Sequence, residues 1–390
     1  MKNSEHANAV NTKEHNRKLL LRHILNTSVS RSDIASRTGL TRAGAGVIVD
    51  SLIKDGFLEE ELVKKTGKGR SPKKLFIRRD ALYAMGINIT RADCSLGICG
   101  LNGTVFARNS FPASSCKTRD EAVERIILSL KKLLKNLKID REKLFGTGIT
   151  TPGPVDSAKG VILTPPDFKR WEFCHITEIF EKRFGIPAWL ENNAIARTME
   201  EQYYGLGKKY KDFINLVTGN GIGGGIVINN ELVKGGGGCG SELGHMSINN
   251  EGKRCFCGNA GCLEMYADPE RFIAEACRRG HPVKEWKEIA FAAEKGNSFF
   301  IEMVRKMAGY LACECTSLIN LFEPRAIIIS GELSQNSSML IQLIKEQANS
   351  RRINRNIREV EIISSNTDQS RGVMAAATLV FNSYLTSPIK

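Results

Sequence analysis

The stretch Glu242–Glu264, ELGHMSINNEGKRCFCGNAGCLE, sets the frame for the rest of the chain. It places His245, Cys255, Cys257 and Cys262 within eighteen residues, bracketed by two glutamates. Three thiols and one imidazole are borderline-soft donors that suit a tetrahedral Zn²⁺ site. Gly258, Asn259 and Gly261 lie between the last two thiols and let the backbone turn tightly enough for both to reach one metal. Two plainer readings stand beside this one. The thiols could simply cluster, although three in eight residues is dense. A disulfide would leave one thiol over, and nothing else in the chain suggests secretion.

Working outward, 390 residues exceed one ordinary core and predict two or three domains. A hydrophobic share of 42 % with 25 % charged residues fits a soluble globular protein. No apolar run has membrane-spanning length and no signal-peptide pattern opens the chain. Eleven cysteines without such a signal imply a reducing, cytoplasmic setting. The net charge of +14 is uneven, since residues 1–80 carry 17 Lys and Arg against 9 Asp and Glu. That concentration points to an anionic partner for the N-terminal segment, most simply double-stranded DNA.

The N-terminal pattern agrees. Residues 1–12 are polar and read as disordered. Leu19, Leu20, Ile24 and Leu25 then recur at helical spacing from Lys13 to Asn26. Ser30 can cap a short helix to Arg37, with Ile34 and Ala35 inward. After the turn Thr38-Gly39-Leu40, Thr41 caps a third helix to about Asp55, with Val47, Ile48, Leu52 and Ile53 on its apolar side. Strands are predicted at Phe57–Val63 and Leu75–Arg78, joined by the basic loop 64–74. This is a winged helix-turn-helix, expected over residues 1–80. Its candidate DNA contacts are Ser30, Arg31, Thr41, Arg42 and Ala43 on the helices, and Lys68 and Arg70 on the wing. Gly44 and Gly46 count against a rigid third helix, costing roughly 1 kcal/mol each relative to alanine.

From Tyr83 the pattern changes to α/β. Strands are predicted at Tyr83–Thr90, Cys94–Cys99 and Thr104–Ser110, then a helix at Arg119–Asn136 and a strand near Phe145–Ile149. The turn-rich segment Thr151-Pro152-Gly153-Pro154-Val155-Asp156 follows. Asn192-Asn193-Ala194 leads from a strand into a helix. Phe213–Thr218 and Gly225–Ile228 then repeat the opening hairpin around the glycine loop 219–225. Two such openings suggest a duplicated fold with a cleft between lobes. The expected lobes are residues 81–200 and 201–390, with a last helix at about 370–386 packing back on the first.

These stretches resemble the ROK family of repressors, open reading frames and sugar kinases. The matching motifs are Thr151–Asp156, Glu191-Asn192-Asn193-Ala194, the glycine loop, Ser241-Glu242-Leu243-Gly244-His245 with the cysteine motif, and the closing Arg371–Ala377. The resemblance spans essentially the whole chain. The N-terminal domain makes it look like the repressor branch, which includes xylose and N-acetylglucosamine repressors. It implies an actin-like, ribonuclease-H-like two-lobed domain, a sugar effector and a homodimer or tetramer. Carried over by position, the sugar contacts fall on Asn192, Asn193, Glu242, His245 and Glu264. That set offers both donors and acceptors, as a polyhydroxylated ring requires.

The same resemblance shows departures on the phosphoryl-transfer side. Family kinases have Asn-Asp where this chain has Asn192-Asn193, and an amide cannot serve as the base for the sugar hydroxyl. Gly86–Arg91 replaces a glycine-rich acidic loop, Asn220 stands where kinases place Thr or Ser, and Ser330-Gly331-Glu332 replaces a Gly-Gly pair. The expectation is a sugar-responsive transcriptional regulator without catalytic residues. The alternative is an active ATP-dependent sugar kinase with an added DNA-binding domain.

Overall fold

The computed structural model describes residues 2–26, 29–62, 73–219, 221–235, 240–335, 337–353, 356–365 and 371–387, with side chains from Thr12 onward except Asn26. The chain opens with α1 (Lys2–Asn26), α2 (Arg31–Thr38) and α3 (Arg42–Lys54), then the antiparallel pair β1 (Leu58–Leu62) and β2 (Lys73–Ile77). Ser30 and Asp33 form a reciprocal capping box that starts α2, and Gly39 ends it in the left-handed region. Thr41 caps α3 through the Gly44 N–H. Leu20, Leu21, Ile24, Ile34, Ile48, Val49 and Leu52 fill the small core.

Two expectations are corrected here. Helix α1 begins at Lys2, so residues 2–12 are helical rather than a disordered lead. No glycine or proline interrupts that stretch, and nothing in it breaks helical hydrogen bonding. Val47 faces outward, whereas Ala45, Ile48, Val49 and Leu52 face the core. At roughly 100° per residue, position 47 lies on the far side from 45 and 49. The wing, including Lys68 and Arg70, lies outside the described residues, as does Asn220.

A meander of β3 (Tyr83–Ile89), β4 (Asp93–Gly100) and β5 (Val105–Pro112) follows, covered by α4 (Arg119–Leu137). Then come β6 (Leu144–Thr151), a small sheet of β7 (Val155–Asp156), β8 (Val161–Ile162) and β9 (Cys174–His175), α5 (Ile176–Phe184), β10 (Ala188–Asn192) and α6 (Asn193–Tyr203). The main sheet runs β10-β6-β3-β4-β5, with β6 and β10 parallel to β3. The pattern then repeats. Strands β11 (Phe213–Gly219), β12 (Gly221–Ile228) and β13 (Glu231–Leu232) form an antiparallel meander. Helices α7 (Pro269–Arg278), α8 (Trp286–Glu294) and α9 (Ser298–Phe322) precede β14 (Ala326–Gly331), α10 (Ser338–Arg351) and β15 (Glu361–Ser364). This sheet runs β13-β12-β11-β14-β15, again with the last two parallel to the first. One topology used twice is the duplicated α/β architecture that the paired hairpins predict.

The described chain divides into two compact units, residues 1–196 with 372–390, and residues 197–371. Helix α11 (Arg371–Thr386) therefore returns to the first unit. Its backbone lies directly on the first sheet. A Cβ on Gly86 would sit 2.1 Å from the Val373 carbonyl oxygen, and one on Gly148 would sit 1.8 Å from that of Ala376. Only glycine permits that approach. At the other end of α11, Tyr384 stacks on Phe57 with ring centroids 6.0 Å apart and meets Phe145 edge-on at 5.1 Å. The Lys18 ammonium lies 5.7 Å from the Tyr384 ring and donates to the Ser387 carbonyl. The N-terminal helical domain is thus seated on the last helix by aromatic and cation–π contacts. Burial pushes the Tyr384 hydroxyl up to about 12.

In the second unit, α9 packs Met303, Met307, Leu311, Cys315 and Leu318 into a core with Trp286 and Phe300. Glu314 of the same helix is 1 % exposed, and its Oε1 has no hydrogen-bond partner among the described residues. Burial pushes its carboxyl up to about 8. The unfolded chain releases this proton above its ordinary value near 4.5, while the folded chain retains it. Stability therefore falls as pH rises from about 4.5 towards 8. Glu314→Gln is expected to gain roughly 2–3 kcal/mol at pH 7 and little at pH 4.5. Urea unfolding at both values checks this; equal gains at both would contradict it. Among the described residues no helix is long and apolar enough to cross a membrane.

Candidate metal centre and ligand-binding residues

Residues 243–265 lack regular helix or strand beyond two short 3₁₀ turns, Leu243–His245 and Leu263–Met265. Backbone pairing replaces them. Ile248 N donates to Gly261 O, Cys255 N to Asn259 O and Leu263 N to Met246 O. At Gly261, with φ +73°, an added Cβ would lie 1.7 Å from the Asn249 carbonyl oxygen, so the turn demands glycine. This folding brings the four sequence-predicted ligands together. The donor atoms of His245, Cys255, Cys257 and Cys262 all lie within 4.8 Å of one another. His245 Nδ1 is 3.6 Å from Cys255 Sγ, and Cys257 Sγ is 3.6 Å from Cys262 Sγ. A tetrahedron with bonds of roughly 2.0–2.3 Å has edges of about 3.3–3.8 Å, so these two separations fit a metal ion of that size. Cys255 and Cys262 are buried and Cys257 is exposed. Burial pushes the Cys262 thiol up to about 12, whereas hydrogen bonding from the Asn259 backbone N–H holds Cys257 below its usual value. Phe256 meets the His245 ring edge-on at 5.2 Å.

The flanking glutamates differ in their surroundings. Glu264 Oε2 accepts from the Ile222 N–H at 2.8 Å and so ties the cysteine segment to the glycine hairpin β11–β12. Glu242 is open to solvent along much of its length. Desolvation of its carboxyl, opposed by His245 and reinforced by Glu264, still holds it above the usual carboxylate range. Asn192 ends β10 and Asn193 starts α6, where open α/β sheets place their ligand-binding residues. Asn192 Oδ1 accepts from the Ala194 N–H at 2.8 Å, and Glu191 Oε1 accepts from Ser157 Oγ at 2.9 Å, which sets the turn. Asn192 and Asn193 belong to the first unit; Glu242, His245 and Glu264 belong to the second.

The segments that depart from a kinase pattern are closed by their own hydrogen bonds. Arg91 donates from Nε and Nη2 to the Pro166 carbonyl at 3.0 and 2.8 Å. Asn88 Oδ1 accepts from Thr150 Oγ1 at 2.9 Å. Thr218 Oγ1 donates to Ser330 O at 2.8 Å and accepts from the Leu333 N–H at 3.2 Å. A Cβ at Gly219 would lie 3.9 Å from the Glu332 Cβ, and the Glu332 carboxylate accepts from the Trp286 backbone N–H. Burial pushes that carboxyl above its usual value, with Glu270 adding to the shift.

On the N-terminal helices, Arg42 and Ala43 are exposed. The Ser30 and Thr41 hydroxyls are occupied as helix caps. Arg31 is a strut: Nη1 pairs with Asp50 at 2.7 Å and Nε with Glu60 at 2.6 Å, joining α2 to α3 and β1. A buried ion cluster in the second unit is invisible to motif reading. Arg371 Nη1 lies 2.5 Å from Glu201 Oε1, and Arg371 Nε lies 3.7 Å from Glu200 Oε1. Arg197 Nη1 approaches Glu200 Oε2 at 3.1 Å. Glu201 also takes the Ser365 hydroxyl and the Leu206 N–H. Burial pushes Glu200 up to about 7, against the pull of Arg197 and Arg371.

Known proteins resemble this arrangement over long spans. A xylose repressor of Bacillus spizizenii is 26 % identical over 375 residues, covering 96 % of each chain. A glucokinase of Thermotoga maritima is 26 % identical over 313 residues, covering 77 % of this chain and 97 % of its own. The crystal structure of a ROK family transcriptional regulator, a homologue of the E. coli protein Mlc, superposes with a TM-score of 0.78 at 23 % identity, covering 96 % of this chain and 97 % of that one. The ROK family profile matches residues 84–383, and so the chain, with its duplicated sheets and its cysteine–histidine cluster, belongs to the ROK family.

Proposed function

We propose that this ROK family protein is a sugar-responsive, DNA-binding transcriptional repressor of carbohydrate-metabolism genes, with no kinase activity. One observation carries the reading. A helix-turn-helix with a paired β1–β2 precedes the ROK domain, and the likeness to the xylose repressor runs through it, while the glucokinase spans only 77 % of this chain. Arg42 and Ala43, with Ser30, Thr41 and the wing residues Lys68 and Arg70, face the operator. Arg31 braces that surface through its pairs with Asp50 and Glu60. A homodimer or tetramer matches a two-fold operator.

The effector is a sugar held by Asn192, Asn193, Glu242, His245 and Glu264. The metal is Zn²⁺ held by His245, Cys255, Cys257 and Cys262, and it orders the loop and fixes the His245 tautomer. Asn193 and Glu242 hydrogen-bond hydroxyls, and Glu264 joins that contact to the glycine hairpin through Ile222. Asn193 carries no basicity with which to take a proton from a sugar hydroxyl. Coupling requires that the sugar bind the DNA-competent and DNA-incompetent states unequally. A panel of pentoses, hexoses and amino sugars should include at least one that lowers operator affinity in an anisotropy assay. Operator affinity unmoved by every sugar would sink the effector model, and ADP release above background in a coupled assay would restore the kinase alternative.

A further inference from the structure

We propose that Val47 reads a thymine methyl group in the major groove, and that Gly46 is small so that α3 can lie close to the base edges. This rests on the DNA-binding reading above. Val47 is a large apolar side chain left 66 % exposed on the outer face of α3. Its helical neighbours on that face are Ala43 and Asp50, one turn before and one turn after. Arg42 stands beside Ala43 at the helix start. Asp50 would repel phosphates as a free carboxylate, but Arg31 pairs with it at 2.7 Å. The face thus offers one cation at its N-terminal end, an acid paired with Arg31 at its C-terminal end and an apolar step between them.

Gly46 supplies an independent observation. Glycine inside a helix is destabilising relative to alanine. At Gly44 the fold gives a reason, because a Cβ would lie 3.1 Å from the capping Thr41 Oγ1. At Gly46 a Cβ would meet nothing within 4 Å. Among the described residues nothing asks for that small side chain, and we assign the constraint to what lies against the helix. In the major groove only thymine presents a methyl group, and apolar side chains are what recognise it. Valine offers no hydrogen bond, so a cytosine amino group or a guanine carbonyl placed against it would lose its water without compensation. The outer face therefore selects thymine at the position Val47 meets, while Arg42 is free to contact a guanine or a phosphate nearby.

The test uses the full-length protein and a duplex enriched by it from a random-sequence library. Each thymine of that duplex is replaced in turn by uracil, which removes only the C5 methyl. Wild-type affinity is expected to fall about fourfold at one thymine per half-site, the worth of one buried carbon. Val47→Ala is expected to bind the thymine duplex several-fold more weakly and to bind thymine and uracil duplexes alike at that position. Gly46→Ala is expected to raise Tm while weakening binding at least tenfold. If wild type is indifferent to uracil everywhere, if Val47→Ala still discriminates, or if Gly46→Ala binds as wild type, the proposal is wrong although DNA binding stands. Enrichment of no duplex would overturn the DNA-binding reading and this proposal together.

Discussion

Arg371→Met is expected to destabilise the protein by about 3–5 kcal/mol, because it leaves two buried carboxylates without their shared cation. Glu201 is 1 % exposed, and both its oxygens are committed, to Arg371, Ser365 and the Leu206 N–H. Glu200 keeps only Arg197 once Arg371 is gone. Its carboxyl, already pushed up to about 7 by burial, moves higher without that cation. A raised carboxyl is a stability cost that grows with pH between the unfolded and folded values, so the loss is expected to be larger at pH 8 than at pH 6. Denaturant unfolding at both values measures it, and a fall in Tm of roughly 10 °C is the scale for a domain of this size. The double variant Arg371→Met with Glu201→Met should recover part of the loss, since it removes the stranded charge with the cation. A loss below about 1 kcal/mol, or one that shrinks as pH rises, would show that the cluster is not held as described.

Cys257→Ala is the second large effect. Leu243 and Leu263 anchor the two ends of the cysteine segment in the core, and between them its order comes from short backbone bonds and from four donors that converge within 4.8 Å. Removing one thiol from a tetrahedral site leaves three ligands, and the metal is expected to be lost on gel filtration against a chelator. Structural Zn²⁺ contributes on the order of 10 kcal/mol to isolated zinc-binding peptides; in this loop, already tied by Ile222–Glu264, a net loss of about 3 kcal/mol is the expectation. On the proposed effector site, sugar affinity is expected to fall with it, because His245 would lose its fixed ring orientation. Metal content by mass spectrometry decides the ligand set: unchanged stoichiometry in the variant would remove Cys257 from it. Cys257→His, which supplies a nitrogen donor in place of the sulfur, should retain more metal than the alanine variant.

Much of this architecture is legible in the sequence, for local reasons. Ser30, Thr41 and Gly39 specify their helix ends through bonds within three or four residues. The cysteine motif carries its ligands and its turn-forming glycine in one stretch. The paired hairpins announce the doubled sheet because each alternates apolar residues around turn chemistry. What escapes is long-range or depends on phase. Glu201 and Arg371 are 170 positions apart, and only the fold brings them together. Helices α7 to α10 bury faces that motif reading leaves unassigned, and the closing contact of Tyr384 with Phe57 joins opposite ends of the chain. Val47 is misplaced by sequence alone because Val47 and Ile48 are adjacent apolar residues, and only the packing of Ala45, Ile48, Val49 and Leu52 decides which belongs inside.

Helix α11 spans 16 residues, with Arg371 among carboxylates at its first turn and Tyr384 against Phe57 near its last. Thirteen residues of rise separate those two side chains by about 20 Å. A helix lying against a sheet at backbone contact, as at Gly86 and Gly148, cannot bend to absorb a displacement. Nor can it tilt on that face without parting from the strands, so it carries the aromatic seat of Tyr384 on Phe57 as part of the first sheet. A side chain added at Gly86 or Gly148 would therefore be felt at Phe57 as well as at the strand, because one rigid helix serves both contacts.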